Sequence, residues 1–101
     1  MVVKTAQQIV DDIVAHARKC GGTLSDWYAG IAGDPRDCLF NRHCVDEEKD
    51  AWIHREAANE TSARSAETAL HEAGFDGGPG GGDASTRFVY AYKKSSHTSE
   101  D

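Results

Sequence analysis

Several side chains that can do chemistry crowd into one short stretch. Asp26 to His43 reads DWYAGIAGDPRDCLFNRH and supplies Tyr28, Arg36, Arg42 and His43. His43 could deliver a proton or contact a phosphate, with Arg36 and Arg42 near it in the sequence. Read on their own terms, these residues also have plain roles. Tyr28 is then a half-buried strand tyrosine with a wet hydroxyl, and His43 a helix-end histidine that offsets the helix dipole. Cys38, His43 and Cys44 raise a second chemistry, a metal site. His43 and Cys44 are adjacent, so on a helix they project about 100° apart. The paired short spacings of structural zinc sites are also absent. The three cysteines, an odd number without CxxC spacing, read as reduced thiols.

These residues need elements to position them. Trp27, Tyr28 and Ile31 are strand formers, and Gly30 inside the run marks a bulge or a close backbone approach. Gly33 lets the chain turn, Asp34 is an N-cap, and Pro35 takes the first helical position. Leu39, Phe40 and His43 continue at helical spacing. Before this stretch, Ala6, Ile9, Val10, Ile13, Val14 and Ala17 form one apolar stripe, so residues 5–19 are an amphipathic helix. Thr5 with Gln8 makes a capping box, and Gly21-Gly22 stops the helix. After it, Ala51 to Glu56 reads as a short strand. Asn59 or Thr61 caps a third helix that buries Ala63, Ala66, Leu70 and Ala73 and ends at Gly74.

Thr86 to Lys93 is the strongest strand, with Phe88, Tyr90 and Tyr92 on one face and Arg87, Val89 and Ala91 on the other. Gly77 to Gly82 follows a helix and precedes a strand. A phosphate-cradling loop needs the reverse order, so this segment reads as a flexible connection. The expected architecture is α+β, a small three-stranded antiparallel sheet flanked by three helices. One domain spans 1–94, and residues 95–101 form a disordered polar tail.

The strand, turn and capped helix around Tyr28-Ala29-Gly30 resemble the central segment of the GIY-YIG nuclease family. Ala63 to Leu70, reading ARSAETAL, looks like that family's later helix, where an alanine precedes a metal-binding glutamate by four positions. The resemblance implies catalytic roles for Tyr28, His43 and Tyr90, and a single divalent ion, Mg²⁺ or Mn²⁺, held by Glu67. Without it, Glu67 is a solvent-facing helix glutamate. It also implies phosphodiester hydrolysis of DNA, in which a metal and a cation offset charge on the phosphoryl oxygens. The chain departs from the pattern in three places. Asp37 stands where the family has its arginine, and Arg36 and Arg42 project from other faces of the helix. No Gly-Ile-Tyr strand precedes Tyr28, because residues 1–19 read as helix. Phe88 to Tyr92 would replace that strand in a circularly permuted sheet, pairing antiparallel with Trp27 to Ala32. The family's late asparagine has no match.

Charge weighs on the choice of partner. The 101 residues carry 17 acids against 11 bases, a net charge of −6. Proteins that grip DNA normally present a basic face, because counterion release supplies most of their non-specific affinity. Nucleic acid is therefore disfavoured, and a protein partner is favoured. No apolar run is long enough to span a bilayer and no basic-then-apolar leader opens the chain, so the expectation is a cytoplasmic protein off the membrane. Two readings follow. One is a degenerate, non-catalytic GIY-YIG-like module that binds a partner through its surface. The other is a metal-dependent phosphodiesterase or nuclease acting on DNA. Asp37 and the acidic balance favour the first.

Overall fold

The computed structural model describes residues 3–77 and 86–98. Its first long element is helix α1, Ala6–Cys20, and the capping box that starts it is complete. Thr5 Oγ1 accepts from the Gln8 amide at 3.1 Å, and the Thr5 amide donates to Gln8 Oε1 at 3.0 Å. Ile9, Ile13 and Ala17 are the buried members of the stripe. Gly21 ends the helix at φ +93°, a conformation that suits glycine. Helix α3, Glu60–Ala73, is capped by Asn59, whose Oδ1 accepts from the Ser62 amide at 2.9 Å, and it stops at Gly74.

Strands β2 (Trp27–Ala32), β3 (Trp52–Ala57) and β4 (Phe88–Lys93) form the antiparallel body of the sheet. Strand β4 lies between the other two, with Tyr92 opposite Tyr28 and Tyr90 opposite Gly30. The last strand does pair with residues 27–32. The expectation of three strands needs correcting. Val3–Lys4 forms a fourth strand, β1, parallel to β3 with Val3 opposite Glu56, so the sheet is mixed in the order β1-β3-β4-β2. Residues 3–4 are thus extended, where the sequence reading made residues 1–19 helical. Two residues are too few to show the alternation by which a strand is recognised. The α+β class stands.

Alternation along β4 divides two cores. Val89 and Ala91 join Trp27, Ala29 and Ile53 beneath α1 and α3. Tyr90 and Tyr92 face the other way, against Ala32, Leu39 and Val45. The second face is covered by helix α2, Pro35–Asp37, and the π-helical turn Cys38–Arg42 that continues it. Asp34 caps this segment by accepting the Asp37 amide at 3.1 Å, with Pro35 in the first turn. Strand β1 covers the outer edge of β3 at Glu56 and Ala57, and an arginine occupies a backbone carbonyl of the part it leaves uncovered. Arg55 Nη1 donates to the His54 carbonyl at 2.8 Å, and Arg55 Nε reaches Asp12 of α1 at 3.1 Å.

No helix among the described residues is long and apolar enough to cross a membrane. Of the polar tail, Ser95 to Thr98 make a hydrogen-bonded turn, and His97 Nε2 pairs with Asp50. Residues 99–101 lie outside the described residues, as does most of the glycine-rich connection, from Gly78 to Gly82.

Candidate functional site

The site begins with a change of helical pitch. After Asp37 the chain widens, and the His43 amide donates to the Cys38 carbonyl at 2.9 Å, five residues back. Such π turns rotate the following side chain relative to an α-helix. Here the widening leads to His43, which lies between the tyrosines of β4. His43 Nε2 is 2.8 Å from the Tyr90 hydroxyl, and Nδ1 is 3.2 Å from the Tyr92 hydroxyl. The Tyr28 ring leans on the imidazole with centroids 4.9 Å apart. Tyr28, His43 and Tyr90 are therefore brought together, with Tyr92 as a fourth member. Of the two β4 tyrosines, only Tyr90 was singled out from the sequence. Because they share a strand face, both reach the same imidazole.

Burial defines what this group can do. His43 is 4% exposed, Tyr90 5% and Tyr92 0%, while Tyr28 is half-buried. A neutral imidazole donates from one nitrogen and accepts at the other. Each ring nitrogen of His43 has a tyrosine hydroxyl as its partner inside the protein. Burial pushes the Tyr90 hydroxyl well above the usual phenol range. Cys38, Tyr28 and Glu67 push it the same way, and Arg42 opposes them. Tyr90 therefore stays protonated at neutral pH and can donate a hydrogen bond.

Gly30 makes this packing possible. A Cβ built on it would lie 2.7 Å from the Tyr90 hydroxyl oxygen and 2.8 Å from Cζ. The glycine in the Tyr-x-Gly strand thus marks a close approach, with the tyrosine ring over the bare backbone of its cross-strand partner.

Glu67 sits on α3, whose apolar residues pack on the opposite face of the sheet. It is 5% exposed and not a solvent-facing residue. With Arg64, Thr68, His71 and Glu72 it lines an open depression of about 440 Å³. Its charge is felt at the Tyr90 hydroxyl. His71, one turn further along α3, donates through Nε2 to the Ala29 carbonyl of β2 at 3.0 Å. Among the described residues no group of three or more histidine, cysteine or acidic side chains could hold a metal ion. Cys38, raised in pKa by burial, and the exposed Cys44 are both free thiols.

Asp37 occupies the helix position where the resemblance calls for a cation. It accepts from Asn41 Nδ2 at 2.8 Å and draws Arg42 to within 3.9 Å. Arg36 turns the other way. Its guanidinium stacks on Phe40 and Trp52 and pairs with Glu47 at 2.7 Å. That cluster was not anticipated, although Arg36 and Phe40 stand four apart, the spacing of neighbours on a helix.

Compared with family models, curated proteins and solved structures, the chain finds no match in any of the three.

Proposed function

We propose that this chain is a GIY-YIG-like domain whose tyrosines and histidine serve its core, and that it acts as a non-catalytic binding module. One observation carries the reading. His43 and Tyr90 are buried, hydrogen-bonded to one another, and completed by Tyr92. A general base must come within hydrogen-bonding reach of the proton it removes. An imidazole closed in by two tyrosine hydroxyls and overlaid by a third ring offers a substrate no such approach. The electrostatics support the same reading, since an acid at position 37 would repel a phosphate that the family logic brings there.

The second reading is a metal-dependent phosphodiesterase or nuclease acting on DNA, with one Mg²⁺ or Mn²⁺ on Glu67. It is favoured by the open depression that Glu67 lines and by the influence of its charge at Tyr90. The two readings differ first in DNA affinity. In fluorescence anisotropy at low salt, the protein should show no saturable binding to a labelled duplex. Asp37→Arg should raise the affinity by about tenfold, the size of one charge-assisted hydrogen bond to phosphate. Tight, saturable duplex binding by the unmodified protein at physiological salt would remove the electrostatic support for the module reading.

A further inference from the structure

The Arg36 cluster has the composition of a recognition site. Guanidinium groups are bound by aromatic faces and by carboxylates. Arg36 has both, its Cζ lying 5.0 Å from the Phe40 ring centre and 5.8 Å from that of Trp52, with Nη2 donating to Glu47 Oε2 at 2.7 Å. Phe40 and Trp52 meet edge to face at 5.1 Å. Trp52 Nε1 donates to the Glu47 carbonyl at 3.0 Å, so the ring and the loop bearing the carboxylate hold each other in place. The receiving surface is therefore built from three elements, α2 with its π turn, the loop at Glu47, and β3.

The occupant is held loosely. The Arg36 and Glu47 side chains are 53% and 52% exposed. Exposed ion pairs and exposed cation–π contacts are each worth only about 1 kcal/mol or less. A guanidinium from outside could take Arg36's place at little cost to the fold. The surroundings favour a cation as well. Residues 34–50 carry six acids and three bases, half of the chain's net charge of −6 in 17 positions. A half-buried aromatic strip extends the site along the sheet, with His54 stacked on Trp52 and Phe88 edge-on to His54. Burial lowers the His54 pKa, and Arg36 and Arg55 lower it further. At neutral pH His54 is therefore an uncharged part of that strip.

We infer that the Phe40–Trp52–Glu47 cleft docks an arginine side chain from a basic partner polypeptide, and that Arg36 fills the cleft when the partner is absent. This rests on the binding-module reading and names its partner class. An internal arginine competes at an effective concentration in the millimolar range, so it weakens the incoming one without abolishing it. Nucleic acid fits the same aromatic strip less well, because its phosphates would meet the acids at 34–50.

The test is a titration followed at the Trp52 indole N–H by NMR. The probe is a short peptide of alternating arginine and glycine, with citrulline in place of arginine as the uncharged control. Arg36→Gln should tighten binding by about tenfold. Glu47→Gln or Phe40→Leu in that background should reverse the gain, and the citrulline peptide should not bind. Arg36 and Glu47 lie on the surface, and Phe40→Leu keeps an apolar side chain, so each variant should remain folded. Equal binding by wild type and Arg36→Gln, equal binding of the citrulline peptide, or a response only to a single-stranded oligonucleotide would each overturn the assignment. Failure of the peptide while DNA stays uncleaved would sink this inference alone. Metal-dependent DNA cleavage would instead sink the module reading beneath it.

Discussion

In urea melts, Ile13→Ala is expected to lower stability by about 2–5 kcal/mol, the range for deleting a buried branched side chain with incomplete relaxation. Ile13 is fully buried at the middle of the α1 stripe, between Ile9 and Ala17. It belongs to the core that α1 shares with Ala63, Ala66 and Leu70 of α3 and with Ile53 and Val89 of the sheet. Removing three carbons there leaves a void that two helices and a sheet would have to close together. Domains of this size have a total stability of about 5–15 kcal/mol, so the loss is a large share of the whole. A loss under about half a kcal/mol, well below that range, would mean that α1 is an appendage and not part of the core.

The second large effect should come from the smallest residue in the site. Gly30→Ala places a methyl group 2.7 Å from the Tyr90 hydroxyl oxygen, closer than unbonded atoms can sit. Alanine is intrinsically better than glycine inside a strand by about 0.5–1 kcal/mol, which argues for stabilisation. Overpacking opposes it at about 1–3 kcal/mol. The tyrosine cannot swing aside freely, because its ring is 5% exposed and its hydroxyl is tied to His43. Breaking that hydrogen bond adds about 1 kcal/mol or more. The sum favours destabilisation, with the His43 ring resonances shifted in NMR spectra. In a Tyr90→Leu background the same alanine should cost much less. A Gly30→Ala protein as stable as wild type, with unshifted His43 resonances, would mean that Tyr90 does not press on this strand.

Much of the frame could be read from local chemistry, because the signals are short and self-contained. Thr5 with Gln8, Asp34 with Pro35, Asn59, and the stop at Gly74 all fix helix ends through neighbours within a few residues. The alternation of β4 separated Val89 and Ala91 from Tyr90 and Tyr92, which became the two cores. What escaped depends on distant partners. Val3–Lys4 is a strand only because Glu56–Ala57 lies beside it. The π turn is a misfit of one residue that no periodicity announces, yet it leads directly into His43. Tyr28, His43 and Tyr90, grouped beforehand only by the family resemblance, lie side by side. Their burial could not be read from spacing, because it follows from the π turn closing over the sheet. The Arg36 cluster escaped because its partners Glu47 and Trp52 stand 11 and 16 positions away.

The central claim is that the buried tyrosines and histidine hold the fold and do not cleave phosphodiesters. Supercoiled plasmid incubated with the protein at low salt in Mg²⁺ or Mn²⁺, beside Glu67→Ala, tests it most directly. Removing a preorganised charge-stabilising group from a working site typically costs on the order of 100-fold or more in rate, so a real activity would be plain in the comparison. The expected result is the same background nicking from both proteins. Robust metal-dependent nicking by the unmodified chain, abolished in Glu67→Ala, would contradict the claim and make this a nuclease.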